Sequence, residues 1–239
     1  TRTGTTWSLQ QKLDSDSYAL TNYQFGSEVA IEGDTILVGA TYYDSSPELV
    51  SVFNRSNGIW TYSQSIYVPY TQMTGVHGEE FNSTFLIEGN TIVIGNPKYN
   101  NGAGQVHIFR LVNEQWTLSQ TLTPPASAVG AQFGISVSLE DDLLLIGEPG
   151  LGEASNDLGK AYLYQFNQDT DLYELNQSLD YNYLTHADES PHFGTQVLLQ
   201  DGMMFILSIN DPFADDLSGE SLLHNGTVTQ FKKVDSEWV

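Results

Sequence analysis

The chain has 239 residues, with 30 Asp plus Glu against 8 Lys plus Arg, a formal net charge of −22 and no cysteine. A surface this acidic repels phosphate backbones and anionic lipid, which argues against nucleic-acid partners and membrane-surface roles. The missing thiols exclude a disulfide scaffold, a Cys-ligated metal and a thiol nucleophile. No apolar run reaches the ~18 residues of a membrane span, so no membrane insertion is expected, and residues 1–6 show no signal-peptide pattern.

Comparing the chain with itself shows a repeat. The first element met is an aromatic residue, followed four residues later by Gln and two further on by an aliphatic. It reads Trp7-Ser-Leu-Gln-Gln11-Lys-Leu13, and returns as Trp60/Gln64/Ile66, Trp116/Gln120/Leu122 and Tyr173/Gln177/Leu179, with a fifth start at Trp238. A second anchor, Phe-Gly before an apolar stretch, keeps phase with it: Phe25-Gly26, Phe81-Asn82, Phe133-Gly134 and Phe193-Gly194.

Between the anchors each repeat reads as four strands. Strand a follows Phe-Gly (27–31, 83–87, 135–139, 195–199), and a two-residue turn leads into strand b (35–40, 91–96, 143–148, 203–208). The turns are Gly33-Asp34, Gly89-Asn90, Asp141-Asp142 and Asp201-Gly202, residues that supply the positive φ of tight hairpins. Strand b carries Gly39, Gly95 and Gly147 in three repeats, and Ser208 is read as their replacement in the fourth. Strand c covers 49–53, 105–109, 160–164 and 227–231, and strand d is the aromatic/Gln anchor. Runs such as Ile36-Leu37-Val38 are apolar on both faces, as a strand packed between sheets requires. Strand d alternates, with Trp60, Tyr62, Gln64 and Ile66 expected on one buried face.

The expected fold is all-β: four four-stranded antiparallel meanders, the blades of a β-propeller, at about 14–66, 67–122, 123–179 and 180–239. Residues 1–13 are the outer strand of a preceding or closing blade. Because Trp7 and Trp238 compete for one aromatic slot, the chain is expected to be part of a longer chain or assembly, and oligomeric or poorly soluble alone. The repeated Gln11, Gln64, Gln120 and Gln177, on the buried parity, call for hydrogen bonds to backbone where blades meet.

Phe25-Gly26, an apolar strand, a Gly-Asp turn, Ile36-Leu-Val-Gly-Ala40 and a closing Trp60-x-x-x-Gln64 together resemble the FG-GAP repeat. The resemblance implies a propeller, seven-bladed in integrin α chains, and an extracellular or cell-surface location. It also implies a calcium loop in the a–b turn of integrin-type blades, but here that turn is two residues long in every repeat, so the calcium site does not carry over.

Other motifs carry little chemistry. The five histidines are scattered, and Gly147-Glu-Pro-Gly-Leu-Gly152 opens no helix, so it reads as a loop rather than a phosphate site. Asn167-Gln-Asp169-Thr-Asp171 reads as a polar c–d turn. Sequons begin at Asn54, Asn82, Asn176 and Asn225, candidate glycan sites in a eukaryotic secretory route. No catalytic or metal residues are assigned, the chain is read as a non-enzyme, and no cofactor is expected beyond weak calcium binding by acidic loops.

All long loops are b–c or d–a connections, so one end of the meanders is elaborated and the other tight. The long loops carry Tyr42, Tyr43, Tyr67, Tyr70, Tyr99, Tyr181, Tyr183 and Phe213 among many acids. Tyrosine offers large contact area with few torsions to freeze, and loops on a rigid scaffold are where binding resides. The expected function is an extracellular structural or adhesion module, with protein subunits or extracellular glycans as partners; a lectin-like or enzymatic propeller using the same face is the alternative.

Overall fold

The computed structural model describes residues 2–14, 23–42, 49–68, 84–126, 128–150, 158–180, 192–209, 226–234 and 237–238. They fall in two compact units, Thr1–Phe81 and Asn82–Val239. A short ribbon, β1 (Arg2–Thr3) with β2 (Thr6–Trp7), precedes four antiparallel meanders. The first sheet is β3 (Tyr23–Glu32), β4 (Thr35–Tyr42), β5 (Leu49–Ser56) and β6 (Ile59–Tyr67). The second is β7 (Phe85–Glu88), β8 (Thr91–Asn96), β9 (Gln105–Val112) and β10 (Gln115–Leu122). The third is β11 (Ser136–Glu140), β12 (Leu143–Glu148), β13 (Lys160–Asn167) and β14 (Leu172–Asp180). The fourth is β15 (Gln196–Gln200), β16 (Met203–Ser208), β17 (Thr227–Val234) and β18 (Glu237–Trp238). In each, strands pair in sequence order, so all four are meanders.

Local chemistry explains the hairpins. The first residue of every a–b turn has positive φ: Gly33 (55°), Gly89 (55°), Asp141 (54°) and Asp201 (53°). Gly, and Asp next best, populate that region at least cost. The Asn167–Asp171 segment is a c–d turn, as expected. Its Asn167 Oδ1 accepts from the Asp169 amide at 2.9 Å, and Thr170 Oγ1 donates to Glu174 at 3.0 Å.

Strand d departs from strict alternation. In three sheets the register slips by one residue just before the Gln, at Ser63, Ser119 and Asn176. A bulge of this kind reverses the facing of what precedes it, so residues 61–63, 117–119 and 174–176 are all exposed. Tyr62 therefore does not share a buried face with Gln64, contrary to the alternation reading. Gln64, Gln120 and Gln177 are half-buried and Gln11 is exposed, so the buried parity assigned to them is also corrected.

In the second unit the sheets stack face to face, and two clusters mark the junctions. Val93, Val106, Ile108 and Leu122 of the second sheet meet Phe133, Leu144, Ile146, Tyr162 and Tyr173 of the third. Leu145, Ala161, Leu163 and Leu179 of the third meet Phe193, Met204, Ile206, Phe231 and Trp238 of the fourth. Strand b contributes to both faces, which is why it reads as an unbroken apolar run.

Glycine sets the spacing at these junctions. A Cβ on Gly95 would overlap the Gly134 carbonyl oxygen, and one on Gly147 would overlap that of Gly194. Gly134 and Gly194 have φ of 88° and 95°, and their amides bond back to the carbonyls of Gly147 and Leu207 in their own sheets. Phe133 and Phe193, both fully buried, form parallel bridges to Gly104 and Gly159 of the preceding sheet. The register also corrects one alignment. Gln196 faces Leu207 as Ser136 faces Gly147, so Leu207, not Ser208, occupies the glycine position in the fourth sheet.

The first unit differs. Phe25 lies inside β3, pairs with Ala40 and packs edge-on against Phe53 at 6.1 Å. Residues 8–14 carry no strand, so Trp7–Leu13 is not the continuous outer strand expected from its sequence. Trp7 is 75% exposed, whereas Trp116 and Trp238 are buried. Phe81 and Asn82 lie outside the described residues.

Gly95→Ala or Gly147→Ala is expected to destabilise the second unit by about 3 kcal/mol, because the clash is with backbone that cannot rotate away. Gly33→Ala, with nothing within 4 Å of its Cβ, should cost only the positive-φ strain of about 1 kcal/mol. Urea denaturation of the three variants checks the contrast.

Candidate functional site

The two ends of the meanders are built differently. At one end strand c of the first three sheets closes on its own a–b turn: the Arg55, Leu111 and Phe166 amides donate to the Asp34, Asn90 and Asp142 carbonyls at 2.8, 3.1 and 2.7 Å. In the first sheet the Arg55 guanidinium also pairs with Asp34 at 2.7 Å and lies over Trp60 at 4.9 Å. This end is short turns with satisfied backbone.

In each meander the strand order puts the b–c and d–a connections at the opposite end, as expected from sequence. In the second unit the turn Tyr99–Gly102 has Asn100 and Asn101 at φ of 51° and 57°. This b–c turn is bonded to the d–a connection leading into the third sheet. The Gly130, Gln132 and Phe133 amides donate to Asn101, Gly102 and Ala103 at 3.1, 2.7 and 3.2 Å. The Gly150 amide, from the next b–c loop, donates to Ala131 at 3.0 Å. The loops of neighbouring sheets thus form a connected backbone platform.

Beneath it lies a buried polar layer. Gln105 Nε2 is 2.9 Å from His107 Nε2, and His107 Nδ1 is 3.2 Å from Thr121 Oγ1, so both ring nitrogens are engaged. Burial lowers the His107 pKa to about 4, which keeps the ring neutral at physiological pH. In the third sheet the Tyr162 hydroxyl donates to buried Glu148 at 3.2 Å. Burial, helped by the Glu148 charge, pushes Tyr164 up to about 12. His192 Nδ1 lies 3.3 Å from the Pro149 carbonyl. With both nitrogens bonded and 1% of its surface exposed, His107 supports the platform rather than reaching a ligand.

Of the candidate interaction residues, Tyr67 is exposed at the end of β6, Tyr99 is half-buried at the start of the platform turn, and Tyr42 ends β4. Tyr43, Tyr70, Tyr181, Tyr183 and Phe213 lie outside the described residues. Among the sequons, Asn54 and Asn176 are exposed, and Asn176 is the bulged residue of β14. Asn225 and Asn82 lie outside the described residues. Among the described residues no three His, Asp or Glu side chains gather as a metal would need.

The glutamine anchors act between elements. Gln120 Nε2 donates to the Tyr173 carbonyl at 2.9 Å while its Oε1 accepts from the Tyr173 amide at 2.8 Å. Gln11 does the same to Trp60, at 2.7 and 2.9 Å, and Gln10 adds a bond to Gly58 at 2.9 Å. One primary amide so satisfies both backbone groups of the next aromatic anchor.

Sequence reading missed a parallel device on strand a. Glu88 accepts from the Asp141 amide at 2.8 Å, and Glu140 accepts from Asp201 and Gly202 at 2.6 and 3.2 Å. Ser136 and Ser138 accept from the Val197 and Leu199 amides at 3.0 and 2.8 Å. The signal was present: Glu32, Glu88 and Glu140 all end strand a.

Between pH 6.5 and about 4 the unfolded chain protonates His107 while the folded chain does not, so stability falls as pH drops through this window. Thermal melts from pH 7 to pH 4 should show a steeper loss for the wild type than for His107→Gln, which removes the titrating ring. With the a–b turns two residues long, EDTA is expected to leave the melting temperature of the calcium-treated protein unchanged.

Comparison with known proteins matches a family model, FG-GAP repeat, to residues 7–53 and 116–164. The second match runs from strand d of one sheet through strands a, b and c of the next, so it spans a junction. A crystal structure of a protein from Lactobacillus plantarum is similar, with 14% identity and a TM-score of 0.47 over 88% of this chain. The chain spans 57% of the length of that protein. The chain carries the FG-GAP repeat over residues 7–53 and 116–164.

Proposed function

We propose that this chain is a non-enzymatic, extracellular adhesion or structural module, part of a larger propeller within a longer chain or assembly. Its loop-bearing end makes protein–protein or protein–glycan contacts. The observation that carries the reading is the asymmetry of the two ends. Short turns close one, while the other presents the bonded platform of Tyr99–Gly102, 130–133 and Gly150. Rigid platforms of this kind let loops vary without disturbing the core.

The acidity of the chain favours basic protein patches, or sugars bridged by a cation, as the contacted chemistry. Exposed Asn54 and Asn176 suit glycans in a secreted eukaryotic protein.

The test is binding to an extracellular-matrix protein array and a glycan array, each with calcium and with EDTA, for the wild type and a Tyr67→Ala/Tyr99→Ala variant. Salt-sensitive binding to basic proteins that weakens about tenfold in the variant is expected. Calcium-dependent sugar binding alone would favour the lectin-like reading, and binding unaffected by both substitutions would place the contact elsewhere.

A further inference from the structure

Asn-Gly pairs stand at 57–58, 101–102 and 225–226, and the first two lie among the described residues. Asn-Gly is the pair most open to reaction with itself, because glycine puts no side chain beside the amide nitrogen that attacks the Asn carboxamide. The glycine nitrogen forms a bond to Asn Cγ and the Cγ–Nδ2 bond breaks, so ammonia leaves with the amide proton. Water then opens the succinimide at one carbonyl or the other, giving Asp or isoaspartate, with no oxidant or reductant required.

Both described pairs start from the left-handed region. Asn57 and Gly58 have φ of 50° and 79°, and Asn101 has φ of 57° and ψ of 39°. There the glycine nitrogen is turned away from Cγ. The peptide plane joining the two residues must first rotate by about half a turn, the change that converts a type I′ turn to type II′. What holds that plane therefore sets the rate. At 101–102 both of its groups are pinned: the Asn101 carbonyl accepts from the Gly130 amide at 3.1 Å, and the Gly102 amide donates to the Lys98 carbonyl at 3.2 Å. The Gly102 carbonyl is held as well, by the Gln132 amide at 2.7 Å. At 57–58 both residues are exposed, and neither group of the plane bonds to another described residue, so only solvent holds it.

We propose that Asn57 is a site of spontaneous deamidation in the folded protein, and that the platform protects Asn101 from the same reaction. Isoaspartate at Asn57 routes the main chain through Cβ, which lengthens a two-residue turn whose flanks, Ser56 and Ile59, are paired. The change falls where residues 8–14 are held on the first sheet. Gln10 Nε2 donates to the Gly58 carbonyl at 2.9 Å, and Gln11 bonds both backbone groups of Trp60. Ageing at Asn57 therefore loosens this clasp. The inference stands on backbone hydrogen bonding and is independent of what the loop end binds.

The test is ageing of the purified chain in mildly alkaline buffer, folded and in concentrated urea, followed by tryptic peptide mapping. Asn57 and Asn101 fall in separate peptides, 56–98 and 99–110, and neither peptide holds a second Asn-Gly. In the folded chain the mass gain of deamidation is expected in 56–98 at least about tenfold faster than in 99–110, the effect of two backbone bonds that must break. In urea the two rates should converge. An isoaspartyl methyltransferase should label aged 56–98 from the wild type and not from Asn57→Gln. Brief trypsin treatment of the native protein should cut after Lys12 faster in the aged chain than in the fresh one. Equal rates in the folded chain would overturn the inference, and so would a difference that persists in urea. Unchanged cleavage after Lys12 would overturn the loosening of the clasp.

Discussion

Everything in the second unit depends on how closely two backbones approach where sheets meet. Gly95 against Gly134, and Gly147 against Gly194, leave no room for a side chain on the receiving strand. That approach seats Phe133 and Phe193 in the preceding sheet, where each is fully buried and bridged to Gly104 or Gly159. The apolar faces of strands b and c then close around these rings. Backbone-to-backbone contact is intolerant in a way that side-chain packing is not, because neither partner has a rotamer to change.

Around this seat the sheets are tied by directional bonds at both edges. On the outer strand a glutamine amide satisfies the next aromatic anchor, Gln120 to Tyr173. On strand a, Glu88 and Glu140 close the following a–b turns, and Ser136 and Ser138 satisfy amides of β15. Edge strands with free amides invite pairing with other chains, and here side chains of the preceding sheet take that role. Arg110 adds a cation over Phe166 at 4.3 Å while donating to Thr91 at 2.7 Å. These polar ties fix register, and apolar burial supplies most of the driving force.

The same geometry separates scaffold from surface. Polar residues under the platform, His107 and Glu148 among them, are engaged within the protein. What is left to vary is the loop end, since the opposite end consists of turns whose conformation only a few residue types tolerate.

Much of the fold was legible in the sequence, because each feature is local or repeats in phase. Phe-Gly, the two-residue turns with Gly or Asp first, and the apolar runs of strand b each report a backbone need, and their recurrence gave four meanders with the observed strand order. The bond of Gln120 to backbone of the next sheet was legible for the same reason. Of the candidate site, sequence showed which end carries the loops, but not that 130–133 bonds to 101–103 as a platform. Period alone also concealed the bulges at Ser63, Ser119 and Asn176, since one inserted residue reverses facing while leaving composition unchanged. Tertiary structure alone decided the partners of Glu88 and Glu140, about a repeat away in sequence. Spacing along the chain determines which strands form, whereas the approach of one sheet to the next, where a single Cβ is too much, is set only when both backbones are in place.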